Sequence, residues 1–450
     1  MTRRPDVQYA WNGDVAIAYQ VVGDGPRDLL ILSGYLSNLE WLWHMERSAA
    51  FLDRLARTSR LILMDRRGTG LSDRFGSDQA PSLEDTIDDI LAVLDAAGSI
   101  RAHVLAMWDG SFAAMMLGAT HSERVASLAL YSSSRRGTGD EPHEWGDDEW
   151  EAAIADIRAT WGTRAGTIRR LRWQQPSTLA SQDDVDSIIT LCRLSASPSS
   201  AIAMLEVHRR TDVSSILPAI RVPTLVMHRL GDTTEDIAAG REVARRIPGA
   251  RFLELDGEDI LPWFGDVPAF IAALDAHLDG ETAGTGERVL GTVLFTDIVN
   301  STATAAELGD TRWAQLLAEH DDLARDAIAR HRGRFVESRG DGLLAVFDGP
   351  ARAVRCAEAL VAAIRPLGIE VRAGCHTGEL ELASGQAQGL AVHIGARVAS
   401  LAGASEVLVS STVRDLTAGS GLRFDEAGEH ELKGVPERWR LYRVATGPAR

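Results

Sequence analysis

The sequence predicts a chain of mixed α and β structure in two parts: a mostly parallel sheet covered by helices and interrupted by a helical insertion, then a smaller α+β sheet domain. Three observations predict it. Short β-rich runs alternate with helical patterns along the first part, which is the signature of a parallel sheet. DGETAGTGER (279–288) then breaks the pattern with Gly, Thr and charge and no apolar period. Beyond it the order is strand, helix, hairpin, helix, strand, which is a split βαβ plan.

Length and composition agree. The 450 residues are 45 % hydrophobic and 25 % charged, values of a folded chain with two or three domains of roughly 100–200 residues each. A formal charge of −17 without a basic run excludes a non-specific nucleic-acid binder, which needs clustered Lys and Arg. The three cysteines, Cys192, Cys356 and Cys375, stand too far apart for a disulfide framework or a zinc site. No apolar run reaches the 18 or so residues of a membrane span, and the N-terminus lacks the apolar core of a signal peptide. A reduced, cytoplasmic setting is expected. Lysine occurs once, at Lys433, and every other basic residue is Arg. Base composition of the gene accounts for the rarity of Lys but not for where this one sits.

In the first part, DLLILSG (28–34), RLILMDRRG (60–68), HVLAMW (103–108) and VPTLVMH (222–228) are buried-strand patterns. LEDTIDDILAVLDAAG (83–98) is an amphipathic helix closed by Gly98. From about Glu141 to Ile216 the chain is helical and Trp-rich, and is expected to be an inserted cap. The expected boundaries are a first domain over 1–279, a linker over 280–288 and a second domain over 289–450.

The second part opens with the strand RVLGTVLFTDIV (288–299), followed by helix to about Arg330. The hairpin GRFVESRGDGLLAVFD (333–348) turns at Gly340-Asp341-Gly342. A helix (350–365), the strand IEVRAGCHTGEL (369–380), a helix (391–402), the strand EVLVS, a short helix and two C-terminal strands around LKGVPERWRLYRV complete it. The β-α-β-β-α-β order is ferredoxin-like.

Two acids in this part point to chemistry. Asp297 ends an apolar strand just before a helix start at Ser301 and Thr302, and Asp341 stands at a hairpin tip. An Asp at such a tip also has an ordinary turn role, but an Asp directly after VLFT is poorly placed for a strand. If the hairpin lies beside the first strand, both carboxylates meet. Such a pair suits two hard cations, Mg²⁺ or Mn²⁺, which together activate a hydroxyl and neutralise a phosphate under attack. The amides of Val299, Asn300 and Ser301 at the helix start suit a triphosphate.

The motifs FTDIVNST (295–302), ESRGDGLLAVF (337–347), GLAVHIGARVAS (389–400) and ELKGVPE (431–437), in this order, resemble the catalytic domain of class III adenylate and guanylate cyclases. The resemblance implies that Asp297, Ile298 and Asp341 hold the metals. It places Arg397 on the α-phosphate in the transition state, where a permanently charged planar group is apt, and Lys433 on the terminal phosphates. It implies a head-to-tail homodimer, with carboxylates from one subunit and base-reading residues, Arg and Lys from the other. His393 stands where the family has an Asn that positions the ribose; an imidazole still offers one hydrogen bond, or is simply a packed helix residue. At the base-reading positions adenylate cyclases carry Lys and Asp, whereas this chain has Glu337 and Gln386. A carboxylate accepts from the ring N–H and amino group of guanine, and an amide donates to its carbonyl. Guanylate cyclases of the family also carry Glu at the first position, though often Cys at the second. GTP is therefore the expected substrate. If Glu337 instead pairs with Arg339, base selection is loose.

The first part resembles the α/β-hydrolase family through its strand order, DRRGTGLSD (65–73), and a GD-containing strand end followed by an LPW segment. The family's nucleophile elbow reads Ala106-Met107-Trp108-Asp109-Gly110 here, so Trp108 replaces the serine; an indole cannot attack a carbonyl. Asp232 matches the triad acid, and Ile260 occupies the position of the histidine. With two triad members missing, hydrolysis is not expected. Ser111 lies past the elbow, and His103 and His228 are strand residues expected in the core. The retained pocket is expected to bind a small apolar ligand and regulate the second domain. The sequence thus favours a purine nucleotide cyclase acting on GTP. The alternatives are an adenylate cyclase with relaxed base selection, a nucleotide-binding sensor without activity, and, least favoured, an esterase with an accessory domain.

Overall fold

A computed structural model describes residues 5–445 except 77–79, 138–145, 281–287, 340, 384–385, 434 and 436–437. It divides into two compact units, Met1–Thr285 and Gly286–Arg450. Most of the expected linker lies outside the described residues.

The first unit is built on eight strands: β1 (Gln8–Asn12), β2 (Val15–Val22), β3 (Asp28–Leu32), β4 (Arg60–Met64), β5 (Ala102–Met107), β6 (Val125–Tyr131), β7 (Thr224–Arg229) and β8 (Arg251–Leu255). Their order in the sheet is β1-β2-β4-β3-β5-β6-β7-β8. The first two pairings are antiparallel, and the rest are parallel. The central strands are buried on both faces, which is why they read as unbroken apolar runs rather than alternating ones. Between β4 and β5 lies the helix Leu83–Ala96, started by a reciprocal Ser82–Asp85 capping box. The chain leaves the sheet after β6 for four helices, Asp147–Thr160, Arg164–Gln174, Gln182–Ser195 and Pro198–Arg210, and returns at β7. This is the insertion, and it packs its own apolar cluster around Tyr35, Ile157, Ala201 and Met204.

The second unit has β9 (Arg288–Ile298), β10 (Arg334–Arg339), β11 (Gly342–Phe347), β12 (Val371–Ala383), β13 (Gln386–Gln388), β14 (Val407–Ser410), β15 (Phe424–Glu431) and β16 (Arg438–Val444). The strand order is β10-β11-β9-β12-β14-β16-β15, with β13 hairpinned onto β12. Its first four strands are those of the ferredoxin-like plan, with β9 central and antiparallel to both neighbours. The helical stretch after β9 is two helices, Ser301–Leu308 and Asp310–Arg330, broken where Gly309 takes φ +73°. The helix Pro350–Ile364 buries Val354, Ala357 and Leu360 against β9, β11 and β12. Among the described residues no single helix is long and apolar enough to cross a membrane.

Candidate functional site

The β9–β11 ladder places the two acids of the second unit. Gly342 pairs directly with Asp297, and the Ile298 N–H donates to the Asp341 carbonyl at 3.3 Å. Asp341 therefore sits diagonally beside Asp297 at one end of adjacent strands, and both are partly exposed. Chain positions 44 apart (341 against 297) are thus joined by one register. The Ile298 side chain is buried, so only its backbone faces the same edge.

A residue the sequence reading passed over shares this edge. Arg372 on β12 is the register partner of Asp297 on the side opposite Asp341. Its Nε donates to the Asp297 carboxylate at 2.9 Å and its Nη2 donates to the same oxygen. The signal in the sequence was an arginine inside an otherwise apolar strand, VRAGC.

The helix start after β9 differs from expectation at one residue. The Val299 N–H donates to the Glu370 carbonyl at 2.8 Å, so it is not available to an anion. Asn300, in the left-handed region at φ +57°, caps the helix and leaves its own amide and that of Ser301 at the helix N-terminus.

The helix Leu390–Leu401 carries His393 and Arg397 one turn apart, both exposed. It lies close on the sheet because Gly395 has no side chain: a Cβ there would stand 2.4 Å from Val293 Cγ2 on β9. Lys433 is exposed in the turn after β15. The sheet order inserts β12, β14 and β16 between β9 and β15. At ~4.8 Å per strand, Lys433 stands about 15 Å or more across the sheet from Asp297. Glu337 on β10 is half-buried, and Gln386 opens β13 opposite Ala383; the two strands approach one another. The side chains of Arg339 and Gln386, and all of Gly340, lie outside the described residues.

In the first unit, Trp108 holds the elbow between β5 and the helix Gly110–Thr120. Its φ is +47°, a conformation rare for a bulky residue. Gly110 makes the turn possible, since a Cβ there would meet the Leu32 and Ser33 carbonyls at 2.9 Å. The fold thus keeps the backbone strain of a nucleophile elbow with an indole in place of the nucleophile. The Trp108 Nε1–H donates to Glu235 Oε1 at 2.9 Å, and its ring lies 4.6 Å from His208 and 5.2 Å from Tyr35. Complete burial pushes the Glu235 carboxyl up to about 8, with Asp232 adding to the shift, and burial pulls His208 down to about 4. Burial thus favours the neutral form of both. Neither was flagged from sequence, because nothing in TTED or EVHRR marks a residue as facing a cavity.

The side chains at the remaining hydrolase positions are hydrogen-bonded or packed within the unit. Asp232 accepts from Ser132 Oγ and from the Thr234 N–H at 2.8 Å. His228, fully buried, has Nε2 2.9 Å from the Glu235 carbonyl and 3.7 Å from Asp232. His103 Nδ1 meets Ser127 Oγ at 2.9 Å. Ser111 is fully buried. Ile260 is half-buried and its N–H donates to the Gln174 carbonyl at 3.1 Å, so no imidazole reaches the elbow from that segment.

Comparison with known proteins finds similarities for both units. Residues 287–446 match the family model described as the adenylate and guanylate cyclase catalytic domain. The pH-sensitive adenylate cyclase of Mycobacterium tuberculosis is 24 % identical over 396 residues, covering 81 % of this chain and 93 % of that protein. The first unit is similar to the pimeloyl-[acyl-carrier protein] methyl ester esterase of Chromobacterium violaceum, 26 % identical over 263 residues, covering 58 % of this chain and 97 % of that one. The crystal structure of the enol-lactonase from Burkholderia xenovorans superposes with a TM-score of 0.51 at 23 % identity, covering 60 % of this chain and all of that one. The first unit has the α/β-hydrolase fold.

The cyclase family implies divalent cations. Among the described residues no cluster of three or more His, Cys, Asp or Glu is placed to hold one. The donor set is instead two carboxylates on adjacent strands with the Ile298 backbone between them. That set fits hard cations that keep water or phosphate oxygens in most positions.

Proposed function

We propose that this chain, whose second unit is a nucleotidyl cyclase domain, converts GTP to its cyclic monophosphate and pyrophosphate. The observation that carries the proposal is the β9–β11 register that sets Asp341 beside Asp297. Asp297, Asp341 and the Ile298 carbonyl would hold two Mg²⁺ or Mn²⁺ ions, which supply an activated ribose hydroxyl and neutralise the phosphate oxygens. The Asn300 and Ser301 amides receive the triphosphate at a helix N-terminus. Arg397 balances charge on the α-phosphate in the transition state, Lys433 binds the terminal phosphates, and His393 orients the ribose. Glu337 and Gln386 read the purine.

The separation of Lys433 from Asp297 across the sheet supports a head-to-tail homodimer with two equivalent sites, each built from both subunits. A second reading, ATP as substrate, is favoured by the name of the mycobacterial relative, an adenylate cyclase. Product formation from GTP and ATP with Mn²⁺ decides between them. Cyclic product from GTP in excess over ATP is expected, and its loss in Asp297→Asn. Equal or greater product from ATP overturns the choice of base. No cyclic product from either nucleotide, with measurable binding, overturns the enzyme and leaves a sensor.

A further inference from the structure

The first unit contains a cavity of about 550 Å³ over the Trp108 elbow, a size typical of small-molecule sites. Its apolar wall is aromatic: Tyr35, Trp108, Trp150 and Trp173, with Ile157 and Leu205. Flat rings on several sides favour a flat, aromatic occupant that offers faces and edges to them. The chemistry of a hydrolase is closed here, since Trp108 fills the nucleophile position and its N–H is committed to Glu235. Space and polar groups remain. Arg170 lines the cavity and pairs with Asp156 through Nη1 at 3.3 Å. Its Nη2 is buried with no hydrogen-bond partner among the described residues, and so is the hydroxyl of Thr234, which also lines the cavity. Protein covers these two atoms, so an occupant meets the Arg170 guanidinium only through the exposed part of the side chain, 11 % of it, and a carboxylate is the natural partner of that charged group.

We propose that this cavity is a receptor site for a planar aromatic carboxylic acid, held with its ring among Tyr35, Trp108 and Trp150 and its carboxylate accepting from Arg170. Three acids line the cavity: Asp156, which pairs with Arg170, Asp236, and Glu235, whose carboxyl is pushed up to about 8 by burial, which lessens its repulsion of an anion. The site is independent of the nucleotide reaction, and its test involves no nucleotide.

The test is calorimetric titration of the full chain with cinnamate and with its neutral isostere cinnamamide. Cinnamate is expected to bind once per chain, about tenfold or more tighter than the amide. Ala153→Trp, which fills the cavity from the helix Asp147–Thr160, should abolish binding of both. Arg170→Gln should remove the preference and leave the affinity for the amide. No binding of cinnamate, equal binding of the two compounds, or undiminished binding in Ala153→Trp overturns the proposal. Arg170 also packs over Trp161; should Arg170→Gln fail to fold, the cinnamate-to-amide ratio and Ala153→Trp decide.

Discussion

Arg372 faces Asp297 across two antiparallel strands and donates to its carboxylate from Nε at 2.9 Å. A guanidinium thereby occupies one oxygen of an acid proposed to hold metal. Opposite unit charges at ~4 Å attract by about 4 kcal/mol at an effective dielectric constant of 20. Both side chains are one-third exposed, and solvent reduces the net value to about 1 kcal/mol or less. Arg372→Met is therefore expected to lower the half-saturating Mn²⁺ concentration about two- to fivefold, read from Mn²⁺ dependence of product formation. An unchanged or raised value means that Arg372 orients the carboxylate without competing for it.

The proposed choice of base rests on Glu337 and Gln386. Leaving a buried acceptor or donor unpaired costs about 1–3 kcal/mol. Glu337→Lys combined with Gln386→Asp should move the GTP-to-ATP ratio of kcat/KM toward ATP by about tenfold or more. A ratio that stays put removes these residues from substrate selection.

The proposed homodimer gives a complementation test. Asp297→Ala and Arg397→Ala should each be inactive alone. Mixed in equal amounts, half the dimers carry one intact site of two, so activity should return to about a quarter of wild type. A mixture as inactive as its components refutes the shared site.

Glu235 is expected to make the stability of the first unit depend on pH. Its folded pKa, about 8, lies above the usual 4.5, so the folded state holds the proton more tightly. Stability from this group is complete below about pH 4.5 and declines as pH rises toward 8. Glu235→Gln cannot ionise and should lose less stability over that window. The unfolding free energy of the variant minus that of wild type, from denaturant titration, should rise from pH 5 to pH 8 by an amount of the order of several kcal/mol. A constant gap means that the carboxyl is ionised throughout.

Restoring a hydroxyl should not restore a hydrolase. Trp108→Ser is expected to hydrolyse p-nitrophenyl acetate no faster than buffer, because Ile260 supplies no base and His228 is held by the Glu235 carbonyl. Turnover in this variant that disappears on adding Asp232→Asn would reveal a base reached by another route.

What the sequence made legible follows from which interactions are local. The strands 28–34, 60–68, 103–108 and 222–228 stood out because both faces are buried, and the helix after Ser82 because its cap and apolar stripe are close in sequence. β1, β2, β6 and β8 were passed over: VASLALY reads equally as a buried helix segment, and the other three lie toward the sheet edges, away from the central parallel strands. Asp297 was legible because an acid in an apolar strand is an anomaly. Arg372 is the same anomaly on β12, yet its meaning depends on a register between positions 75 residues apart. Val299 shows the converse: its amide seemed free until the tertiary contact with Glu370 appeared. Glu235 and His208 acquire significance only because the insertion folds over the elbow, which no local pattern announces.

The sheet order that keeps Asp297 and Lys433 on different strands has a consequence for supply. A catalyst completed only when two copies meet gains output with the square of its abundance while it is scarce, and linearly once pairing saturates. If the proposed shared site holds, a modest rise in synthesis of this chain would raise cyclic-nucleotide output more than in proportion, and gene dosage would itself be a control point.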